Sequence, residues 1–144
     1  MIKFETSIVI AQPVEKVFAF TANFNNNPKW QTDVLVAQQT SQGPIGLGST
    51  YCCANKFLGK RIETVGFVSE YEPDRRCSYK ITSGTVTGES SFIFETVGGA
   101  TKLTATGIVN RGFLWMASSL IVRKIQQQLQ KDLNKLKHIL ENGS

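Results

Sequence analysis

Histidine and cysteine are scarce in this chain: of its 144 residues, one is a histidine and three are cysteines. His138 lies near the solvent-facing edge of a predicted helix, so Ser/His/Asp and Cys/His catalytic arrangements lack a suitable base. Cys52 and Cys53 are adjacent and would point to opposite faces of a strand, so they could not chelate one zinc ion together. We therefore assign no catalytic residue and expect no metal site and no cofactor.

The sequence also lacks long apolar runs and a cysteine framework. Residues 1–13 alternate charged and apolar side chains without the apolar stretch of a signal peptide, and no segment approaches the roughly 18 apolar residues of a membrane span. An odd number of cysteines argues against a disulfide-stapled secreted fold. We expect a cytoplasmic protein in which residues 1–144 form one domain.

Positive charge is only moderately in excess, with a formal net charge of +5. Lys56, Lys60 and Arg61 form a small basic cluster around Phe57, whereas binding by phosphate neutralisation needs a broader positive stripe. A nucleic-acid partner is therefore not expected. Transient contact with an anionic membrane surface remains open.

Alternating polar and apolar residues predict β-strands over most of the chain. In residues 2–10, Phe4, Thr6, Ile8 and Ile10 share one face, and polar or charged residues share the other. Further strands are predicted at residues 34–40, 49–57, 60–72, 76–83, 90–97 and 101–110. Short strands at this spacing indicate an antiparallel meander.

Helical periodicity appears in three places. Pro13 precedes apolar residues spaced for a short amphipathic helix, and Asn27 is predicted to cap a single helical turn that starts at Pro28. Residues 113–141 contain no proline or glycine and predict a helix about 40 Å long. The apolar stripe of this helix comprises Ser118, Ile121, Val122, Ile125, Leu129, Leu133, Leu136 and Leu140.

One long helix would have to cover a twisted antiparallel sheet, and such a sheet need not close on the helix everywhere. We therefore expect a pocket between sheet and helix, with an apolar lining of the kind that binds small ligands. The alternative is that the same side chains fill a solid core. The candidate lining residues are Trp30, Tyr51, Phe67, Tyr79, Phe92, Phe94 and Leu103, together with Trp115 at the apolar start of the helix.

Five segments of the chain resemble, in this order, the START-like or helix-grip (SRPBCC) superfamily, in particular its polyketide cyclase/dehydrase and lipid-transport group. The segments are IAQPVEKVFAFTANFNNNPKW (10–30), GPIGLGSTY (43–51), VSEYEPDRRCSYKI (68–81), GATKLTATGIV (99–109) and DLNKLKHILE (132–141). The resemblance implies an α+β fold in which a curved seven-stranded antiparallel sheet wraps around a long C-terminal helix, with two short helices after the first strand. It also implies a hydrophobic cavity, whereas function varies widely among the members.

Three functions remain open at this point. The first, which we favour, is a non-enzymatic carrier or sensor of a small hydrophobic ligand such as a lipid, a quinone or a polyketide-like molecule. The second is a cyclase or dehydratase, which needs a polar group deep in the pocket, such as Glu63, Tyr79 or Tyr51. The third is docking through residues 113–120 onto a membrane or a protein, and a homodimer contact there also remains open.

Overall fold

Residues 2–57, 59–83, 87–109 and 119–143 are described by the computed structural model, and the structural statements below concern these residues. The strands are β1 (Ile2–Ile10), β2 (Val34–Gln39), β3 (Thr50–Phe57), β4 (Lys60–Glu72), β5 (Arg76–Ser83), β6 (Gly88–Val97) and β7 (Ala100–Val109). The helices are α1 (Val14–Thr21), α2 (Asn27–Trp30) and α3 (Ser119–Asn142), and a 3-10 turn at Phe24–Asn26 precedes α2.

The seven strands form one antiparallel sheet in the order β1-β7-β6-β5-β4-β3-β2, as predicted. The predicted strand boundaries are confirmed to within two residues, the largest difference being the start of β6 at Gly88. Gly98 and Gly99 adopt φ values of 54° and 86° in the turn between β6 and β7. Two consecutive residues with positive φ match the right-handed twist of a tight hairpin, so glycine is well suited to both positions.

Side-chain alternation determines which face of each strand is buried. In β1, Phe4 and Ile10 are buried while Glu5 and Ser7 are exposed. β4 is the longest strand, at 13 residues, and its register with β5 shifts between Val65 and Gly66 and again beyond Val68. Because a β-bulge bends a strand and increases its twist, these shifts help to curl the sheet around the helix.

The helix α3 lies closest to β1 and α2. The apolar stripe of α3 faces the interior, as predicted for this part of the helix. Its buried residues are Leu133, Leu136 and Leu140, and its partly buried residues include Ile125 and Leu129. The predicted helical residues 113–118, including Ser118 of the stripe, lie outside the described part of the chain.

Polar contacts fix α3 along the free edge of β1. The Gln126 side chain donates to the carbonyl oxygen of Glu5 at 2.7 Å, and the Glu141 carboxylate accepts from the backbone N–H of Ala11 at 2.7 Å. The Lys137 ammonium donates to the carbonyl oxygen of Val9. These contacts satisfy an edge strand that would otherwise be open to pairing with another chain.

Aromatic side chains fill the end of the interior beneath α1. Phe18 makes edge-to-face contacts with Tyr71 and Phe94, at ring-centroid distances of 5.4 and 5.0 Å. Leu103 is fully buried in the same core. Because close packing leaves little void volume, this end provides stability rather than space.

The predicted cap of α2 is wrong by one residue. Asn26, not Asn27, occupies the N-cap position, and its side chain makes no capping hydrogen bond. Instead the Asn26 amide donates to the carbonyl oxygen of Phe20 at 3.1 Å. The 3-10 turn that precedes α2 is capped by Asn23, which accepts from the N–H of Asn25 at 3.1 Å. An asparagine side chain therefore caps the 3-10 turn rather than α2, to which the sequence pattern assigned the cap.

Candidate functional site

A cavity of about 280 Å³ lies between the concave face of the sheet and the helices α2 and α3. It adjoins a second space of about 300 Å³ that shares part of its lining and extends to Asp33, Lys56 and Ile62 near the turn between β3 and β4. Ligand pockets usually measure roughly 300–1,000 Å³. The two spaces together therefore suit a small ligand, and we call the second space the mouth.

Five aromatic rings form a continuous wall along the cavity. Phe24 contacts Tyr51 at a ring-centroid distance of 5.3 Å, and Tyr51 contacts Tyr79 at 5.9 Å. Tyr79 in turn contacts Phe92 at 6.2 Å, and Phe92 contacts Trp30 at 5.8 Å. All five residues line the cavity. The structure thus brings together four of the predicted lining residues and adds Phe24.

Three other predicted lining residues do not reach the cavity. Phe94 and Leu103 point inward as predicted, but they belong to the solid core near α1. Phe67 lies on the outer face of β4, because Thr64, Gly66 and Val68 are the buried residues there. Their assignment to the ligand site is therefore corrected. Trp115 lies outside the described residues.

Gly66 allows the ring of Tyr51 to lie flat against the sheet. The two residues are paired across β3 and β4, and a Cβ atom at position 66 would lie 2.7 Å from the Tyr51 hydroxyl oxygen. It would also collide with the backbone carbonyl oxygen of Lys80 on β5. Tyr51 therefore occupies the space that a side chain at position 66 would need, and this fixes the ring in the cavity wall.

The Tyr51 and Tyr79 hydroxyls and the Cys53 thiol of the cavity lining are neutral at physiological pH. Burial raises the pKa of the Tyr51 and Tyr79 hydroxyls and raises the pKa of the Cys53 thiol to about 11. The Tyr79 hydroxyl lies 3.4 Å from the carbonyl oxygen of Ala22 and 3.5 Å from Cys77 Sγ. These groups can donate hydrogen bonds, but they do not act as bases.

Asp132 is a buried carboxylate in the cavity lining, and sequence reasoning did not select it. Its Oδ1 atom accepts from the Thr32 N–H at 3.2 Å, the Thr32 hydroxyl at 3.0 Å and the Gln128 amide at 2.9 Å. Desolvation raises the pKa of Asp132, against the opposing effect of these hydrogen bonds. Its position three residues after Leu129 and four before Leu136, on the apolar stripe of α3, is the sequence signal that could have identified it.

The carboxylates considered from the sequence lie elsewhere. Glu63 was a candidate polar group for the cavity, but it is exposed on the outer face of β4, where it pairs with Arg61 at 3.7 Å. Glu89 and Glu95 on β6 are also exposed. Within the described ranges, no group of three or more His, Cys, Asp or Glu side chains could hold a metal ion. None of the described helices is both long enough and apolar enough to cross a membrane.

Solved structures of similar fold come from bacteria and plants. A protein from Thermus thermophilus superposes with a TM-score of 0.83 at 14% identity, covering 99% of both chains. A START superfamily protein from Mycobacterium smegmatis gives 0.82 at 13% identity over 100% of both chains. The Zhui aromatase/cyclase from a Streptomyces species gives 0.69 at 13% identity, covering 96% of this chain and 93% of that one. At these identities the likeness shows the fold alone.

The sequence itself gives the family. No protein of curated function matches the chain. The family described as polyketide cyclase/dehydrase and lipid transport matches residues 1–141, which is nearly the whole chain. The sheet, the C-terminal helix and the cavity between them agree with this match. The chain therefore belongs to the polyketide cyclase/dehydrase and lipid-transport family, with a START-like helix-grip fold.

Proposed function

We propose that this protein binds a small, mainly apolar ligand in the cavity between the sheet and α3. The observation that carries the proposal is the wall of five aromatic rings around an interior space of about 280 Å³. Apolar surface buried by a ligand contributes roughly 25 cal/mol per Å², reduced by the cost of association. A lipid, a quinone or a polyketide-like molecule would supply such a surface.

Binding is favoured over a cyclase or dehydratase reaction by the chemistry of the lining. The Tyr51 and Tyr79 hydroxyls and the Cys53 thiol keep their protons, because burial raises the pKa of each. A general base would therefore have to be Asp132, the carboxylate among the described lining residues, whereas the protonated groups could act only as acids. Three hydrogen bonds hold that carboxylate in place, an arrangement that suits orientation of a ligand.

Docking onto a membrane or a protein through residues 113–120 is supported by fewer described residues than the cavity is. Leu120 is 74% exposed at the start of the described part of α3. Residues 113–118, which supply the rest of the predicted apolar surface, lie outside the described chain. Contact with a membrane or with a second copy therefore stays a prediction, and flotation of Leu120→Ser with anionic vesicles would test the membrane contact.

A substitution that fills the cavity tests the proposal. Gly107 lines the cavity, and a Cβ atom there would meet only ordinary contacts, 3.8 Å from Phe4 and 3.9 Å from the carbonyl oxygen of Glu89. We expect Gly107→Val to weaken binding of 2-methoxynaphthalene several-fold in calorimetric titrations, because the new side chain occupies ligand space. Native mass spectrometry of the freshly purified wild type should show a bound ligand, which organic extraction would recover. Addition of the same probe should displace this ligand.

Ala100→Val is the matched control, since it enlarges a residue of the same strand on the other face. Its affinity for the probe should equal that of the wild type. The proposal would be overturned by a wild-type protein that binds no apolar probe, or by equal affinity in Gly107→Val and the wild type.

A further inference from the structure

We propose that Asp132 selects the ligand by accepting a hydrogen bond from it, so that the ligand is an apolar molecule with a hydroxyl or amino group at one end. This inference rests on the proposed function and names the chemistry of its ligand. The observation behind it is a buried carboxylate at the boundary between cavity and mouth: one of its oxygens accepts three hydrogen bonds, and the other accepts none from the described residues.

The two carboxylate oxygens have different surroundings. Oδ1 accepts all three hydrogen bonds, two from Thr32 and one from Gln128. Oδ2 accepts none from the part of the chain that the structure describes. A carboxylate has about four acceptor positions, so this side chain keeps capacity for another donor. Because Asp132 lines the cavity, a bound ligand is the natural source of that donor.

Among the described residues, these neutral donors are the only compensation for the burial of Asp132. It is 8% exposed, and none of the ion pairs among the described residues includes it. It lies in the middle of α3, so the amides at the start of that helix do not stabilise its charge. Burying a carboxylate without a cation costs free energy, so a purely structural role would not account for an aspartate at this position.

The location of Asp132 also orients the ligand. Asp132, Thr64 and Asn55 line both the cavity and the mouth, whereas Phe24, Tyr51 and Phe92 line only the cavity. The apolar body of the ligand would therefore lie against the aromatic wall, with its donor group toward the mouth. Gln31 and Asn55 are further polar side chains within the shared lining.

A pair of probes with the same aromatic body separates this inference from simple apolar binding. 2-Naphthol carries a donor, and 2-methoxynaphthalene carries only an acceptor at the same position. A hydrogen bond to a charged group is expected to favour 2-naphthol by about tenfold or more in calorimetric titrations of the wild type. This ratio is measured without any variant, so it does not depend on the folding of one.

The variant Asp132→Asn gives the sharper test. The Thr32 and Gln128 donors should hold the amide oxygen at the place of Oδ1, which leaves the amide nitrogen facing the ligand as a donor. The preference for 2-naphthol should then disappear or reverse toward 2-methoxynaphthalene. Asp74→Asn is the matched control, because it makes the same charge change in the turn between β4 and β5, outside the cavity lining.

The outcomes distinguish this inference from the proposed function. Equal affinity of the wild type for the two probes, with both excluded by Gly107→Val, would overturn the role of Asp132 and leave apolar binding intact. An unchanged preference in a folded Asp132→Asn variant would overturn it as well. If neither probe binds the wild type, the proposed function itself is overturned.

Discussion

The contact between Gly66 and Tyr51 shows how one missing side chain shapes the ligand site. The glycine has no positive φ, so the need for it comes from space rather than from backbone conformation. Its absent side chain is replaced by the Tyr51 ring, which links Phe24 to Tyr79 along the aromatic wall. A residue without a side chain thereby positions one of the rings that line the cavity.

We expect Gly66→Ala to lower the free energy of unfolding by roughly 3 kcal/mol, because the added carbon must displace the Lys80 backbone or the Tyr51 ring. Chemical denaturation monitored by far-UV circular dichroism would measure the loss. Gly46→Ala is the control: its Cβ would meet nothing within 4 Å, so its effect should stay within about 0.5 kcal/mol. Equal stability of the two variants would contradict the packing described for Tyr51.

The raised pKa of Asp132 predicts how the stability of the fold depends on pH. Desolvation raises this pKa, so the folded chain binds the proton more tightly than the unfolded chain does. The stabilisation is complete below the ordinary pKa of an aspartate and is lost as the pH rises through the higher folded-state value. In thermal unfolding from about pH 4 to about pH 7, Asp132→Asn should gain stability relative to the wild type as the pH increases. A difference that stays constant over this range would contradict the assignment.

At the scale of elements, the side-chain pattern predicts the faces of regular strands well. The buried faces of β6 and β7 follow simple alternation, so Phe92 and Leu103 point inward as predicted. Tyr79 of β5 is also buried as predicted, although its neighbour Ser78 is buried too. In β4 the register with β5 shifts twice, and Phe67 lies on the outer face. Bulges depend on pairing between strands, which a single strand's pattern does not reveal.

The same limit applies to the candidate site. Hydrophobic periodicity identifies aromatic residues that point inward, but it does not show which end of the interior is filled. The prediction therefore placed Phe94 in the cavity lining, although Phe18 packs against Phe94. It also treated α3 as an apolar stripe and passed over Asp132 within that stripe. Both questions depend on how α1 and α3 pack on the sheet, which the sequence of a single element does not express.

Hydrogen exchange can test how α3 is attached to β1. The Glu141 carboxylate accepts from the Ala11 N–H and from Lys137, and these bonds lower its pKa. We expect Glu141→Gln to speed exchange of the Ala11 amide, because the bond to a neutral amide oxygen is weaker. Glu95→Gln, at an exposed strand position, should leave that amide unchanged. Unaltered exchange in the first variant would show that the carboxylate does not hold this edge.

At the scale of the whole molecule, the interior cavity exists at the expense of stability. α3 lies against β1 and α2, and the concave face of the central strands is left for the aromatic wall. The core is solid near α1 and open near the mouth. A protein that keeps interior space forgoes the packing that would fill it, which is a common trade-off between function and stability.

The cavity-filling variant should show this trade-off directly. Gly107→Val replaces a glycine within a strand by a β-branched residue, and we expect it to raise the free energy of unfolding by about 1 kcal/mol while it weakens probe binding. Denaturant titration of the ligand-free protein, beside Ala100→Val, measures the first effect. A destabilised Gly107→Val variant would indicate that the cavity has no room for the added methyl groups.

The adjacent cysteines have a practical consequence. Cys53 faces the cavity, while Cys52 belongs to the outer face of the same strand. The two neighbouring thiols thus lie in different environments, the interior cavity and the outer face of the sheet. A spectroscopic label on Cys53 would report whether the cavity is occupied, and a label on Cys52 would provide an internal reference within the same molecule.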